Sequence, residues 1–242
     1  MTITSHHNEK LKEIRKLRQR RRWRERSRRF VAEGEDLLAV ADACGWEAVS
    51  RFCVLGSGLP GVEVEADALA SVSGLASGTR ALAVYEERWA HTPLEPLCVY
   101  LHGVQDPGNV GAVLRSAWAF GASCVAFGPG SADPFGPKAV RASMGAVFAV
   151  PVARAGDLDA LPGSKIALVP GGGRALREVM RLVATSRQQN VTLLVGAERE
   201  GLPNDVIAQA DVVAHIPTAI ESLNAAMAAT IALYEASRMA AR

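Results

Sequence analysis

The spacing of apolar residues changes near residue 97, and this change predicts two structural units. From Leu97 onward, short apolar runs of strand length alternate with segments whose apolar residues recur at helical intervals. Strands that are buried on both faces are nearly continuously apolar, so this rhythm predicts a parallel sheet covered by helices on both faces. The predicted strands are LCVYLHG, SCVAFG, VFAVPV, KIALVP, VTLLVG and DVVAHIP.

Capping residues and apolar spacing predict the helices of this second unit. Asn109 is a suitable N-cap for a helix over 110–120, because its side chain can accept a hydrogen bond from the first turn. Pro137 fits the first turn of a second helix. A long helix is predicted from Ser222 to Arg238, where the apolar residues keep helical spacing.

Residues 31–90 form a smaller predicted unit ahead of this sheet. VAEGEDLLAVADACG indicates a helix that Gly45 closes, and RFCVL and RALAVYE indicate strands. The two prolines of RWAHTPLEP make it the predicted linker to the second unit, which spans 95–242. The predicted fold class is therefore α/β, with a small domain ahead of a parallel-sheet domain.

Charge sets the first 30 residues apart from the rest. The chain carries +2 overall, but 1–30 contain twelve Lys or Arg and three Glu, which gives +9 and leaves −7 for the remainder. This asymmetry predicts a basic arm that binds a polyanion, with Trp23 and Phe30 suited to stacking on nucleic-acid bases. A solvated tail is the alternative. The predicted contacts with the nucleic acid are Arg20, Arg21, Arg22, Arg24, Arg28 and Arg29 of the arm and Arg141 outside it.

Composition and missing motifs argue against several classes of protein. The four cysteines form no C-x-x-C pair, which argues against a zinc ribbon or a disulfide scaffold and fits the reducing cytoplasm. We expect no membrane span and no signal peptide, because no apolar run approaches the roughly 20 residues of a span. The chain also lacks the G-x-G-x-x-G fingerprint after a strand and the Gly-Lys pair of a P-loop.

Arg115 is a charged residue inside an otherwise apolar helical segment, QDPGNVGAVLRSAWAFGA. Gly111 and Ala119 lie four residues away on either side, so they share its helix face and leave room for other backbone to approach. This position suits a residue that contacts a ligand. The alternative is an ordinary surface arginine.

In two later segments, small or polar residues follow directly after a predicted strand. LLVGAEREGLP places Glu198 between Gly196 and Gly201, where a ligand can lie against the backbone. HIPTAIESLNAAMAATIALYEASR places Ser222 and Asn224 at a helix N-terminus, the usual position for capture of an anion or polar ligand. A tight strand-to-helix loop and a simple helix cap are the alternatives.

Taken in this order, the three segments resemble the signature of the SpoU (TrmH) family of RNA ribose methyltransferases, within the SPOUT class. The resemblance covers about 97–240 and includes DPFGPKAVRASMGAVFAVPV; RFVAEGEDLLAVADACG is similar to the start of the family's small substrate-binding domain. It implies a SPOUT domain with a deep trefoil knot, an exception to the rule against knots. It also implies a preceding RNA substrate-binding domain and a homodimer with the site near the interface.

The resemblance further implies S-adenosylmethionine as cofactor and no metal. The implied catalytic residues are Asn109, Arg115, Glu198, Ser222 and Asn224, and the implied cofactor contacts are Gly196, Glu198, Gly201, Ile216, Pro217, Ser222, Leu223 and Asn224. The sequence departs from the family where Thr218 replaces a usual methionine and Ala225-Ala226 replace a common Val-Ser. These departures affect the packing of the cofactor and leave the catalytic-type residues in place.

The predicted reaction is methylation of a ribose 2′-hydroxyl in structured RNA, with ribosomal RNA favoured over transfer RNA. This hydroxyl is a poor nucleophile at neutral pH, so the reaction needs in-line placement and stabilisation of the developing oxyanion. Arg115 can orient the substrate, stabilise the oxyanion or grip a phosphate. A role as the base is disfavoured, because the intrinsic pKa of arginine lies above ~12.

A second hypothesis is a non-catalytic RNA-binding protein, such as a ribosome assembly factor, on the same fold. The joint presence of the five catalytic-type residues favours the enzyme, because a binding protein has no need of them all. A conventional nucleotide-binding α/β enzyme is disfavoured by the missing glycine fingerprints. Housekeeping modification and self-protection against a ribosome-targeting antibiotic are both compatible with the sequence.

Overall fold

The strands fall into two sheets that divide the chain near the change in apolar spacing. The computed structural model describes residues 2–75, 78–186 and 189–240. Its strands are β1 (Arg29–Glu33), β2 (Ser50–Val54), β3 (Val62–Val64), β4 (Ala81–Glu86), β5 (Trp89–Ala90), β6 (Leu97–Leu101), β7 (Cys124–Phe127), β8 (Val152–Arg154), β9 (Ser164–Leu168), β10 (Arg174–Ala175), β11 (Val191–Val195) and β12 (Val212–His215). One sheet has the strand order β1-β4-β2-β3, and the other has the order β10-β12-β9-β11-β6-β7-β8-β5.

Helices cover both sheets. They are α1 (Glu9–Gln19), α2 (Arg21–Ser27), α3 (Glu35–Ala43), α4 (Ala66–Ala70), α5 (Pro107–Ala119), α6 (Pro137–Ala142), α7 (Ala146–Ala149), α8 (Leu176–Thr185), α9 (Asn204–Ala208) and α10 (Ala225–Ala240). Within the described part of the chain, no helix is both long enough and apolar enough to cross a membrane.

The larger sheet is parallel in every strand pair that the described residues form, which confirms the predicted sheet type. Successive side chains of a strand point to opposite faces of the sheet, so alternate residues of β6 belong to two different hydrophobic cores. Val99 and Leu101 pack with helices α5, α6, α8 and α10, whereas Cys98 and Tyr100 pack with α9 and the 155–161 segment. The sheet is therefore covered on both faces. The trefoil knot stays a prediction.

Helix α5 begins earlier than the predicted start at 110. The Asp106 carboxylate accepts a hydrogen bond from the Gly108 N–H at 2.9 Å, and Pro107 occupies the first turn. Asp106 is therefore the N-cap, and the prediction that Asn109 has this role was wrong. Asn109 lies inside the first turn instead, so its amide is available to other partners.

Helix α10 begins at Ala225, three residues after the predicted start at Ser222. The side-chain oxygen of Asn224 accepts hydrogen bonds from the N–H groups of Ala226 and Met227, at 2.9 and 3.2 Å. Asn224 therefore caps the helix, and Ser222 lies in the loop before it.

Two predicted elements differ from the structure because glycine changes the backbone direction. Strand β1 and helix α3 replace the predicted helix over 31–45, since Gly34 separates them at φ +107°. The predicted strand VFAVPV is the helical turn α7 followed by β8. Met144 and Gly145 ahead of it have positive φ values of 50° and 91°, which reverse the chain and start the helical turn.

Residues 1–30 are folded onto the smaller sheet and do not form a detached arm. Leu11, Ile14 and Leu17 of α1 are fully buried and belong to the same core as Phe52 and Leu82 of that sheet. Helical spacing of these three residues gives α1 one apolar face. The predicted arm therefore contributes to the core of the small unit.

The expected stacking of Phe30 on RNA bases was wrong, because Phe30 is 0 % exposed. It lies among aromatic side chains that join the two sheets, with ring centroids 4.8 Å from Phe135 and 5.8 Å from Phe148. Trp46 adds a polar link, since its indole N–H donates to the Phe148 carbonyl at 2.9 Å. Residues from both units thus share one continuous core.

Arg24 was predicted to contact RNA, but its side chain is 7 % exposed and paired inside the protein. Its guanidinium donates to the Asp133 carboxylate at 2.9 and 2.8 Å and to the Leu17 carbonyl at 2.8 Å. Asp133 also accepts from the Phe135 N–H at 2.9 Å. This ion pair fastens α2 to the segment that precedes α6.

We predict that Arg24→Ala lowers the free energy of unfolding by about 3–5 kcal/mol, because it leaves a mostly buried carboxylate without its cation. Urea denaturation followed by circular dichroism measures the change. Arg26→Ala, an exposed neighbour on α2, is the matched control and should stay within about 0.5 kcal/mol of the wild type. Equal stability of the two variants would show that the pair does not hold the units together.

Candidate functional site

A cavity of about 700 Å³ lies at the carboxyl ends of three neighbouring strands, β9, β11 and β12. Parallel strands end at the same edge of a sheet, so the loops that follow them face one another although they are distant in sequence. The loops after Leu168, Val195 and His215 supply most of the lining. The size falls within the usual 300–1,000 Å³ of a small-molecule site.

The walls of this cavity are apolar and its remaining lining is charged or polar. Flat apolar walls suit an adenine ring, and carboxylates suit the cationic groups of S-adenosylmethionine, so the residues present fit this cofactor. The apolar residues are Leu168, Val169, Val195, Leu202, Ile207, Ile216 and Leu223; the charged and polar residues are Glu198, Arg199, Glu200, His215, Thr218, Glu221 and Ser222.

The loop after β11 closes on itself through two backbone hydrogen bonds. The N–H of Ala197 donates to the Gly201 carbonyl at 3.1 Å, and the N–H of Gly201 donates back at 3.0 Å. Gly201 has φ +68°, a left-handed value that favours glycine. A Cβ on Gly196 would overlap the backbone of Gly201 and Leu202. Both glycines are therefore required for the loop itself, which presents Glu198 at its tip.

Three polar side chains from three distant segments form one hydrogen-bonded chain beside the cavity. The Asn109 amide donates to the Glu198 carboxylate at 2.5 Å, and the Asn224 amide donates to the Asn109 side-chain oxygen at 3.0 Å. The other end of the Asn224 side chain caps α10. This chain fixes the orientation of all three groups, because each amide has its donor and its acceptor engaged.

The structure brings most of the predicted cofactor residues together. Seven of them line the cavity, namely Gly196, Glu198, Gly201, Ile216, Pro217, Ser222 and Leu223. Asn224 does not line the cavity, but it lies beside it, between the lining residues Leu223 and Ala225. The sequence analysis did not predict the wall formed by 168–171. Its position directly after a buried strand was the available signal.

Arg115 lies away from this cavity on the surface of the protein. It is separated from Asn109 by six residues of α5, which is about 9 Å along the helix and about 120° around it. It is exposed and lines a shallow depression with Trp118, Ala119 and Met144. It forms no hydrogen bond or ion pair with any described residue. Gly111, one turn earlier, packs so closely on α6 that a Cβ would lie 2.5 Å from that of Ala142.

Within the described ranges, no group of three or more His, Cys, Asp or Glu side chains is arranged to hold a metal ion.

The chain is similar to known RNA-modifying proteins over most of its length. Residues 96–234 match the SpoU rRNA methylase family model. A tRNA/rRNA methyltransferase of Mycobacterium tuberculosis is 36 % identical over 76 % of this chain and 68 % of the relative. A 23S rRNA (guanosine(2553)-2′-O)-methyltransferase of Bacillus subtilis is 28 % identical over 96 % of this chain and 97 % of the relative.

Solved structures agree with this similarity. The AdoMet-bound rRNA methyltransferase of Sinorhizobium meliloti superposes with a TM-score of 0.86 at 31 % identity, covering 98 % of this chain and 97 % of that one. The fold and the cavity, together with these similarities, define an RNA methyltransferase that uses S-adenosylmethionine as its methyl donor. The chain belongs to the SpoU rRNA methylase family.

We predict that Gly196→Ala weakens binding of S-adenosylmethionine at least about tenfold, because the added methyl group displaces the backbone at 201–202 that lines the cavity. Isothermal titration calorimetry measures the affinity. Gly156→Ala is the matched control, since a Cβ there meets nothing within 4 Å and its φ is unstrained. Equal affinity in both variants would mean that the close fit at Gly196 does not shape the cofactor site.

Proposed function

We propose that the protein transfers the methyl group of S-adenosylmethionine to a ribose 2′-hydroxyl of structured RNA, and that ribosomal RNA is the substrate rather than transfer RNA. The observation that carries this is the Asn109–Glu198–Asn224 chain at the edge of a cofactor-sized cavity. The activities named for the Bacillus subtilis and Sinorhizobium meliloti proteins support ribosomal RNA. Free thiols at all four cysteines agree with a cytoplasmic location.

The bound cofactor would supply an electrophilic methyl group, and the protein has to place the hydroxyl in line with it. Asn109 and Glu198, each fixed by the other, present oriented polar groups to the incoming ribose. Ser222 lines the cavity and Asn224 adjoins it, which suits contact with cofactor or ribose. Holding the reacting atoms at near-attack distance supplies much of the rate enhancement in such reactions. We assign no metal to this step.

An exposed apolar face on α5 and α10 leads us to propose a homodimer. Trp118 of α5 and Met227 and Tyr234 of α10 are 46–62 % exposed, and the exposed Met144 lies beside Trp118. The two helices are joined by a 2.6 Å Ser116–Thr230 hydrogen bond. Contiguous apolar surface of this kind marks a contact with another molecule. The resemblance to the SpoU family makes a second copy of this chain the occupant.

Arg115 lies beside this apolar face, and we propose that it acts in the cavity of the partner subunit. The cavity of its own chain lies on another side of α5. Dimerisation through the apolar face would bring the Arg115 side of one copy against the other. There the guanidinium would stabilise the developing oxyanion or grip the neighbouring phosphate. The planar guanidinium holds its N–H donors in a fixed arrangement, which suits either role.

The outer face of α2 is the proposed RNA-docking surface. Arg20, Arg22 and Arg26 are exposed and form no ion pair within the described residues. Four other predicted RNA contacts already have partners within the protein: Arg21 binds Glu25, Arg28 faces Glu87 and Arg29 binds Glu13, while Arg141 donates to the Gly74 carbonyl. Arg26 was not among the predicted contacts. We propose that the small unit, residues 1–90, binds the substrate RNA.

The function is tested by single-turnover methyl transfer to ribosomal RNA fragments and to transfer RNA, with 2′-O-methyl positions mapped. Arg115→Ala and Glu198→Gln should each reduce the rate by about two to three orders of magnitude, the usual loss of one charge-stabilising group. Both variants should keep a near-normal melting temperature, because both side chains lie at the surface or the cavity edge. Arg115→Lys should recover part of the rate. Stable RNA binding without methyl transfer by the wild type would indicate the assembly-factor hypothesis instead.

Mixing the two inactive variants tests whether the site is shared across the dimer. A mixed dimer has one cavity with both Glu198 and the partner's Arg115, so roughly a quarter of wild-type activity should return. If Arg115 acts within its own subunit, no mixed site is complete and the mixture stays inactive.

We also predict that Arg22→Ala lowers RNA affinity and reduces the slope of log affinity against log salt by about one unit, because one phosphate contact is lost. Arg20→Ala and Arg26→Ala should act alike. Arg177→Ala, an exposed arginine on α8, is the matched control and should leave the slope unchanged. Filter binding at several salt concentrations gives the slopes. Identical slopes for all four variants and the wild type would remove α2 from the docking surface.

A further inference from the structure

A second cavity, of about 280 Å³, lies between α2 and the loops that follow β7 and β8. It shares no lining residue with the cofactor cavity. Both open at the carboxyl edge of the larger sheet, and β8 lies three strands, or roughly 14 Å, from β11, the nearest strand whose loop lines the cofactor cavity. The second cavity is therefore close enough to receive a nucleotide within a few positions of the methylated one.

Glu87 places a carboxylate in this cavity that lacks a full set of partners. Its side chain is only 3 % exposed and lines the cavity. One oxygen, Oε2, accepts from the Trp89 indole N–H at 2.9 Å and faces the Arg28 guanidinium at 3.6 Å. The other oxygen, Oε1, accepts no hydrogen bond from any described residue. This oxygen is open to the cavity, where it can accept a hydrogen bond from a ligand.

The other charged groups around Glu87 are already paired, with one exception. Arg21 is bound to Glu25, and Asp133 is bound to Arg24. Burial raises the pKa of the Glu87 carboxyl, and the nearby Asp133 carboxylate acts in the same direction, while the Trp89 hydrogen bond and the charges of Arg28 and Arg154 lower it. The exception is Arg154, which is exposed and has no ion pair among the described residues.

Arg154 forms a flat platform at the same cavity. Its guanidinium lies over the Trp89 ring, 4.3 Å from the centroid, while Phe135 packs edge-on against that ring at 5.2 Å. One face of the guanidinium is thus covered and its orientation fixed. Its other face is available to a planar group, and arginine planes stack readily on RNA bases.

We propose that this cavity binds a guanine base of the substrate RNA, stacked on Arg154 and hydrogen-bonded to Glu87. Guanine presents two adjacent N–H donors, N1 and N2, which match the two oxygens of a carboxylate. Uracil presents one N–H between two carbonyls, and these carbonyls would face the carboxylate unfavourably. Because the ligand is a part of the RNA, this inference rests on the proposed function and assigns a base to one position of its substrate.

The probe is guanosine 5′-monophosphate, compared with uridine 5′-monophosphate, in an NMR titration of the full-length protein. The Trp89 indole N–H binds Glu87 directly, so its resonance reports on the cavity. Guanosine monophosphate should shift it in a saturable way, and uridine monophosphate should not. Glu87→Gln should weaken the guanosine monophosphate interaction at least about tenfold, the usual value of a bidentate base contact. Glu86→Gln, an exposed neighbour, is the matched control and should bind as the wild type does.

Two further measurements separate this role from a structural one. Glu87→Gln should melt at or above the wild-type temperature, because it removes a buried charge and leaves an oxygen for Trp89. It should also raise the RNA concentration needed for half-maximal methyl transfer about tenfold, while affinity for S-adenosylmethionine stays the same.

The possible failures are distinguishable. Equal shifts with both nucleotides, or unchanged guanosine monophosphate binding by Glu87→Gln, would overturn the base site and leave the proposed methylation standing. Normal nucleotide discrimination in a protein that methylates no RNA would overturn the proposed function and with it the assignment of this base to a methylation substrate.

Discussion

The contact between Phe30 and Phe135 is the constraint on which the rest of the structure depends. Phe30 comes from the smaller sheet, and Phe135 lies in the segment between β7 and α6 of the larger unit. The Arg24–Asp133 pair locks the same segment from the side of α2. Since α6 packs directly on α5 through Gly111, the position of Asn109 on α5 depends on this contact. A movement of the small unit would therefore be transmitted to the candidate site through the packing of α6 on α5.

Asn224 links the stability of helix α10 to the geometry of the candidate site. One end of its side chain caps the longest helix, and the other end holds Asn109, which in turn holds Glu198. A helix cap is worth about 1 kcal/mol, enough to keep this rotamer fixed. The polar groups proposed to face the substrate are thus oriented by an interaction that the fold needs in any case. Hydrogen bonds alone hold this arrangement in place.

Buried strands and loop glycines could be predicted from the sequence because their causes are local. Continuous apolar runs give strands, and Gly201 has the positive φ that its loop requires. The start of α5 was predicted wrongly because both Asp106 and Asn109 are suitable N-caps. Asp106 is the more favourable cap, since Pro107 follows it at the first helical position. Whether residues 1–30 fold onto the rest of the protein depends on partners that are distant in sequence, namely the core around Leu82 and the Asp133 carboxylate. The pattern of charges along the chain does not reveal these partners.

Helix α2 shows why RNA docking and catalysis cannot be separated by truncation in this protein. Arg22 and Arg26 lie four residues apart and share its outer face, while Arg24 points inward to Asp133. Removal of 1–30 would take away basic surface and core together, including the buried leucines of α1. Loss of RNA binding by such a truncation would then report unfolding. Only single substitutions on the outer face distinguish phosphate contacts from the packing that positions the site.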